Sequence, residues 1–292
     1  MGTSNLQDEL IAAESLMVDG QDEAAKKRLA ALAEDAEEYV DANCQTTEDT
    51  QWFAFPTLFE RLAYRRVEKD PRTLEDVGEP LSRLYSDLAL ACVRMGDAQE
   101  AIEALKQCIR WNPMDCGARL DLAELFRAQG DSQEYLALTY SVFERASDAR
   151  HLARAFANFS EYFGAIGKPR TQAAALRAAR RLDMGDDGKL TQMLADAKGT
   201  DHDPDEVDDS ECSELLGKEG LPDGANADIA VCLLFCASDA ADFGNRNLAT
   251  ELTIRARDLV GTDACKALLE LIHADDEKDE KDEKDEKDEG EA

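Results

Sequence analysis

Apolar residues recur along this chain at helical spacing, and polar turns punctuate them at regular intervals. Leu6 to Val18 and Glu23 to Val40 predict a first helix pair, with Asp19-Gly20 between the two helices. Gln51 to Phe59 is aromatic-rich and broken by Pro56, and a further helix is expected to run to about Lys69, where Asp70-Pro71 ends it. Two stretches 34 residues apart are then built alike. One has Tyr85, Leu88, Ala89 and Cys92, then Gly96-Asp97, then Ala101, Leu105, Cys108 and Pro113. The other has Leu122, Ala123 and Phe126, then Gly130-Asp131, then Tyr135 and Val142. Such a period predicts stacked helix–turn–helix units.

The turns inside these units are chemically explicit. Gly96 and Gly130 permit a positive φ where a helix closes. Asp97 and Asp131 fit N-caps, each with a Glu three residues on, Glu100 and Glu134, in the spacing of a capping box. A looser third unit runs from Phe156, Phe159, Ser160 and Phe163 through Gly167 and Pro169 to Leu176 and Ala179. Residues Gly199 to Gly224 are acidic, contain Pro204 and Pro222, and read as a flexible linker or long loop. A last pair is expected at Ala230–Phe243 and Asn245–Val260, followed by a short capping helix over about Asp263–His273.

The expected fold class is therefore all-α, an α-solenoid of antiparallel helix pairs with a disordered acidic tail. Its divisions are residues 1–77 (N-terminal helices and the aromatic segment), 78–198 (the repeat core, with units 82–115, 116–149 and 153–186), 199–224 (acidic linker), 225–273 (last pair and cap) and 274–292 (low-complexity tail).

The formal net charge is −31. Asp201 to Glu214 holds eight acidic residues and no basic one, and Asp275 to Glu291 holds twelve against four Lys. A field of this sign repels phosphate backbones and anionic lipid, so the expected partner is a protein or peptide, with basic ones favoured, and neither nucleic acid nor membrane. No signal-peptide pattern opens the chain, and the longest apolar run, Ile229 to Ala237, is too short to span a bilayer. Eight Cys lack any C-x-x-C spacing, and Cys92, Cys108, Cys232 and Cys236 lie within helical apolar patterns. Reduced core thiols and a cytoplasmic location are expected.

Motifs that carry chemistry are sparse. His151, His202 and His273 pair with no other ligand at metal spacing. Asp201-x-Asp203-x-Asp205 copies the start of a calcium loop, but Pro204 intrudes, Glu206 replaces the turn Gly and Cys212 stands where the bidentate Glu belongs. Neither a metal nor a cofactor is expected, and the chain is not expected to be an enzyme. Trp52, Phe53, Phe55 and Phe59 are expected to pack the seam between the first helix pair and the repeats. In the tail, Glu277–Lys281, Glu280–Lys284 and Glu283–Lys287 are i, i+4 pairs in the favoured order.

The unit from Ser82 resembles the tetratricopeptide repeat family. Tyr85, Leu88, Ala89, Cys92, Ala101, Cys108 and Pro113 fall on that family's large, small and Pro positions. The unit from Cys116 departs at Arg119, where a large apolar residue belongs, and at Tyr135, where a small one does. Leu6–Tyr39 and Ala230–Asp263 look like degenerate copies. The resemblance implies a concave groove lined by the first helix of each pair, which binds peptides or proteins. Its candidate groove residues are Arg83, Ser86, Leu90, Leu120, Glu124, Arg127, Arg154, Ala157 and Glu161. One subfamily clamps a C-terminal carboxylate with Lys and Asn; at those positions this chain has Ser86, Leu90, Asp121, Arg154 and Asn158, which lack most of the clamp. The resulting expectation is an interaction scaffold, adaptor or chaperone-like binder. Two alternatives are an enzyme or regulatory subunit with its site in the divergent terminal helices, and a structural or oligomerising helical module.

Overall fold

The computed structural model describes residues 3–182, 185 and 187–272. The tail pairs Glu277–Lys281, Glu280–Lys284 and Glu283–Lys287 lie outside the described residues, as do His273 and Asp186. The chain forms two compact units, dividing after Arg145.

The first unit is a run of helix pairs: α1 (Thr3–Val18) with α2 (Asp22–Asn43), α4 (Leu81–Met95) with α5 (Ala98–Trp111), and α6 (Cys116–Ala128) with α7 (Ser132–Arg145). Helix α2 packs on α4, and α5 on α6, so the second helix of each pair carries the first helix of the next. The apolar stripe of α4 (Leu81, Leu84, Tyr85, Ala89, Cys92) and that of α5 (Ala101, Ile102, Leu105, Cys108) are buried, as the 34-residue pattern requires. Gly96 and Gly130 close their helices at φ +81° and +82°. A Cβ on either would meet nothing within 4 Å, so their backbone conformation, not crowding, is what favours glycine there.

The two expected capping boxes behave differently. Asp131 accepts the Glu134 N–H at 3.1 Å. Asp97 makes no side-chain cap; Lys26 of α2 takes its carboxylate at 2.5 Å and Glu100 at 2.9 Å. Ion pairs to one ammonium, charged on both sides, win over a cap in which only the carboxylate is charged. They also raise the Lys26 pKa above the ordinary lysine range. The departures in the next unit have structural explanations. The Arg119 guanidinium donates to the Pro113 carbonyl at 2.7 Å and to Ser141 Oγ on α7 at 3.2 Å. Tyr135 is buried in α7.

Between α2 and α4 the chain makes an excursion that the helical pattern did not announce. β1 (Thr50–Phe53) and β2 (Thr73–Asp76) pair in parallel, Thr50 opposite Thr73, with α3 (Leu58–Glu68) crossing between them. The aromatic cluster is thus not simply a seam between the first helix pair and the repeats, as expected from sequence. Trp52 does pack on the core shared by the first helix pair and the repeats, but Phe53, Phe55 and Tyr64 make a core within the insert, with ring centroids 4.7–5.6 Å apart. Backbone and Arg contacts fasten the insert to the second pair: Ala54 N–H to the Trp111 carbonyl at 2.9 Å, and Arg110 to the Trp52 carbonyl at 3.0 Å. Helix α3 packs on α7, where Glu68 meets Arg145.

The second unit holds the pair α8 (Ala149–Ala165) and α9 (Pro169–Arg181), then α10 (Gly188–Ala197), a 3-10 turn (Pro204–Glu206) and α11 (Asp209–Lys218). The pair α12 (Ala227–Asp242) and α13 (Arg246–Val260) follows, and residues 262–272 form α14. Here the expected flexible linker is corrected. α10 lies ahead of it, and within residues 199–224 α11 docks on α9, burying Cys212 and Leu216. Its acidic residues neutralise a row of arginines: Arg170 with Glu211 (2.5 Å), Arg177 with Asp209 (2.9 Å) and Arg180 with Asp205 (2.8 Å). Composition read as disorder is here the complement of a basic helix.

The carboxylates of the calcium-like sequence are engaged separately. Asp203 accepts from the Gly199 and Asp205 N–H groups, Asp205 pairs with Arg180, and Asp201 meets His202. Among the described residues, no group of three or more His, Cys, Asp or Glu is placed to hold a metal ion. Seven of the eight Cys are buried, with Cys236 half-buried, and all are free thiols. Among the described residues, no helix is long and apolar enough to cross a membrane.

Candidate peptide-binding groove

In the first unit, three first helices supply the candidate groove. On α4, Arg83, Ser86 and Leu90 fall on one stripe at i, i+3 and i+7, and all three are exposed, Leu90 by 44%. Val93 extends the stripe and is 48% exposed. On α6, Arg127 is exposed and Glu124 half-buried, joined at 2.5 Å. Helix α1 contributes Glu14, whose carboxylate takes the Arg83 guanidinium at 2.5 Å, and the exposed Ile11 one turn away.

Two candidate groove residues are corrected by burial. Leu120 is fully buried and Ala157 is 4% exposed, so neither presents a side chain to a ligand. Position for position they correspond to Ser86, but both are apolar and gain more from a helix interface than from solvent. In the second unit, Arg154 on α8 is half-buried, and Glu161 accepts from Lys189 of α10 at 3.0 Å. Asn158 is buried, which removes it from any carboxylate clamp at the surface.

The electrostatics of the first-unit face are acidic. Both groove arginines there are held by carboxylates of the same chain, while Asp87 adds a further carboxyl beside Glu14. Burial, and next the Glu14 charge, push the Asp87 carboxyl up to about 7, against the pull of Arg83. Its Oδ2 is buried and receives no hydrogen bond from a fixed donor. Protonation of the Asp87 carboxyl relieves this arrangement. The pair was not singled out from sequence, because Glu14 and Asp87 belong to helices separated by the insert.

A pH dependence follows. The folded-state pKa of Asp87 lies above the ordinary aspartate value near 4, so its contribution to stability is full below about pH 4 and is lost as pH rises through about 7. Discounted for partial exposure, the loss is about 1 kcal/mol. Urea midpoints of wild type and Asp87→Asn between pH 4.5 and 8.5 measure it: the wild type should lose stability relative to the variant as pH rises. Parallel curves would show that no such proton is held.

Comparisons with known proteins are sparse. No protein-family model matches the chain. No curated protein matches it. A solved chain described as "Functional Characterization of Pseudomonas Aeruginosa pilF" covers 94% of this chain and 100% of its own length at 13% identity, with a TM-score of 0.45.

Proposed function

We propose that this protein is an interaction scaffold or adaptor that binds a basic peptide or helix of a protein partner on the exposed face of α4 and its neighbouring first helices. The supporting observation is the α4 stripe: Leu90 and Val93 stand exposed on the helix that also carries Asp87, and the arginines of the same face are already held by Glu14 and Glu124. An aliphatic patch with an acidic border suits an amphipathic basic segment, where apolar contact gives affinity and charge gives orientation and rate. The reading is of a binding protein rather than an enzyme.

The test is direct binding. A labelled helical peptide with Leu at i, i+3 and i+7 and Lys elsewhere should bind the full chain, and Leu90→Asp should weaken it at least tenfold while leaving the melting temperature unchanged. Equal affinity of wild type and variant would place any binding elsewhere.

A further inference from the structure

The β1–α3–β2 insert interrupts the helix pairs and carries a surface unlike the rest of this acidic chain. Helix α3 buries Phe59, Ala63 and Tyr64 and turns its other face outward. That face reads Leu58, Arg61, Leu62 and Arg65, with the C-cap Lys69 just beyond it, and every one of these residues is exposed. Leu58 is 65% and Leu62 39% exposed, so two leucines stand in water within a run of cations. The chain as a whole has a net charge of −31, so a basic helix face is against its trend.

The scaffold under this face is rigidly made. Asp70 holds Arg72 through both carboxylate oxygens, at 2.9 and 2.7 Å, and accepts the Tyr64 hydroxyl at 2.9 Å. These bonds hold the Asp70 carboxyl well below the usual carboxylate range, Arg72 being the largest cause. Arg61 donates to the Leu74 carbonyl at 2.6 Å, tying the helix to β2. A helix tied down in this way needs no ordering of its backbone on binding, so the cost left is that of its exposed side chains.

We infer that the outer face of α3 is a docking surface for an acidic amphipathic helix of a protein partner, seated with its apolar residues on Leu58 and Leu62 and its carboxylates on Arg61, Arg65 and Lys69. The occupant's chemistry follows from both halves of the face. Cations alone would accept any anion, but the two leucines need an apolar counterpart. The chain's own acidic run, Asp275 to Glu291, has no aliphatic or aromatic residue to offer them. Anionic lipid is a poor occupant because α3 spans only 11 residues and the whole molecule is strongly negative. The surface is separate from the α4 stripe and takes a partner of opposite charge.

The experiment uses the full chain and a labelled helical peptide with Leu at i, i+4 and i+7 and Glu between. Saturable binding tighter than about 100 μM is expected. Two double variants, Arg65→Glu with Lys69→Glu and Leu58→Ser with Leu62→Ser, should each weaken it at least tenfold with unchanged circular dichroism. The charge-reversed variant should gain affinity for a Leu/Lys peptide even when Leu90→Asp is also present, which keeps the test independent of the α4 stripe. Absence of binding would overturn the inference. So would equal binding of a Ser/Glu peptide or of a peptide with the sequence of residues 275–291, because attraction would then be ionic only. Binding to phosphatidylserine vesicles that both double variants abolish, with no binding of the Leu/Glu peptide, would assign the face to lipid instead.

Discussion

Phe156→Ala should destabilise the protein by about 3–5 kcal/mol, measured as the shift in urea unfolding followed by circular dichroism. Phe156 sits on α8 with no exposed surface, among the buried positions Leu152, Phe159, Ser160 and Phe163 of the same helix. Its partner helix α9, which also packs on α10 and α11, has Ala173, Ala174, Ala175, Ala178 and Ala179 as most of its buried residues. Alanines have no length with which to refill the space a phenyl ring leaves, so the cavity should persist and the cost should fall at the upper end of its range. Phe156→Leu keeps much of the volume and should recover more than half of the loss. A shift below about 1 kcal/mol for the alanine variant would show that α8 is not packed as described.

Ala89→Leu should cost about 1–3 kcal/mol by overpacking. Ala89 lies on α4 within the core that includes Leu84, Tyr85, Ile102 and Leu105, and is 3% exposed. Helix α4 is packed between α2 and α5, with Ala101 of α5 fully buried beyond the Gly96 turn. Three added heavy atoms must displace a neighbour or separate the helices. Leu90→Asp, one residue away and exposed, should leave the unfolding curve unchanged, so the two variants together fix which side of α4 is core. An unchanged curve for Ala89→Leu would contradict the repeat register.

The repeat core was legible because a helix pair is a local object. Gly96 and Gly130 mark turns by their backbone conformation, and the spacing of Tyr85, Leu88, Ala89 and Cys92 marks a covered stripe without reference to anything distant. The insert was harder to read. Each of its strands has four residues, too short for a period of two to stand out, and the partner of Trp52 is Glu75, beyond an intervening helix. The segment containing α11 was misread for a related reason. Its acidity looks like solvation until Arg170, Arg177 and Arg180, 25 to 41 residues earlier, are seen to face it. Asp97 shows the same limit on a smaller scale, since its cap is lost to a lysine 71 residues away.

The groove was only partly legible for a different reason. Repeat register places Ser86 and Leu120 at equivalent positions, but register says nothing about how deeply a helix is covered. Ser86 is exposed and Leu120 is not. The Glu14–Asp87 pair and the outer face of α3 depend on neighbours that an alignment of repeats does not bring together. A hydrophobic pattern marks where a helix must be covered, whereas a site is made of the positions that the cover leaves open.

The central claim, that a basic segment binds on the α4 face, is tested most directly by site-specific photocrosslinking. Leu90→benzoylphenylalanine, illuminated with the labelled Leu/Lys peptide, should give a covalent adduct. The same photoreactive residue in place of the exposed Tyr140 on α7 should give none. Adducts at position 140 and not at position 90, with the peptide bound, would contradict the account.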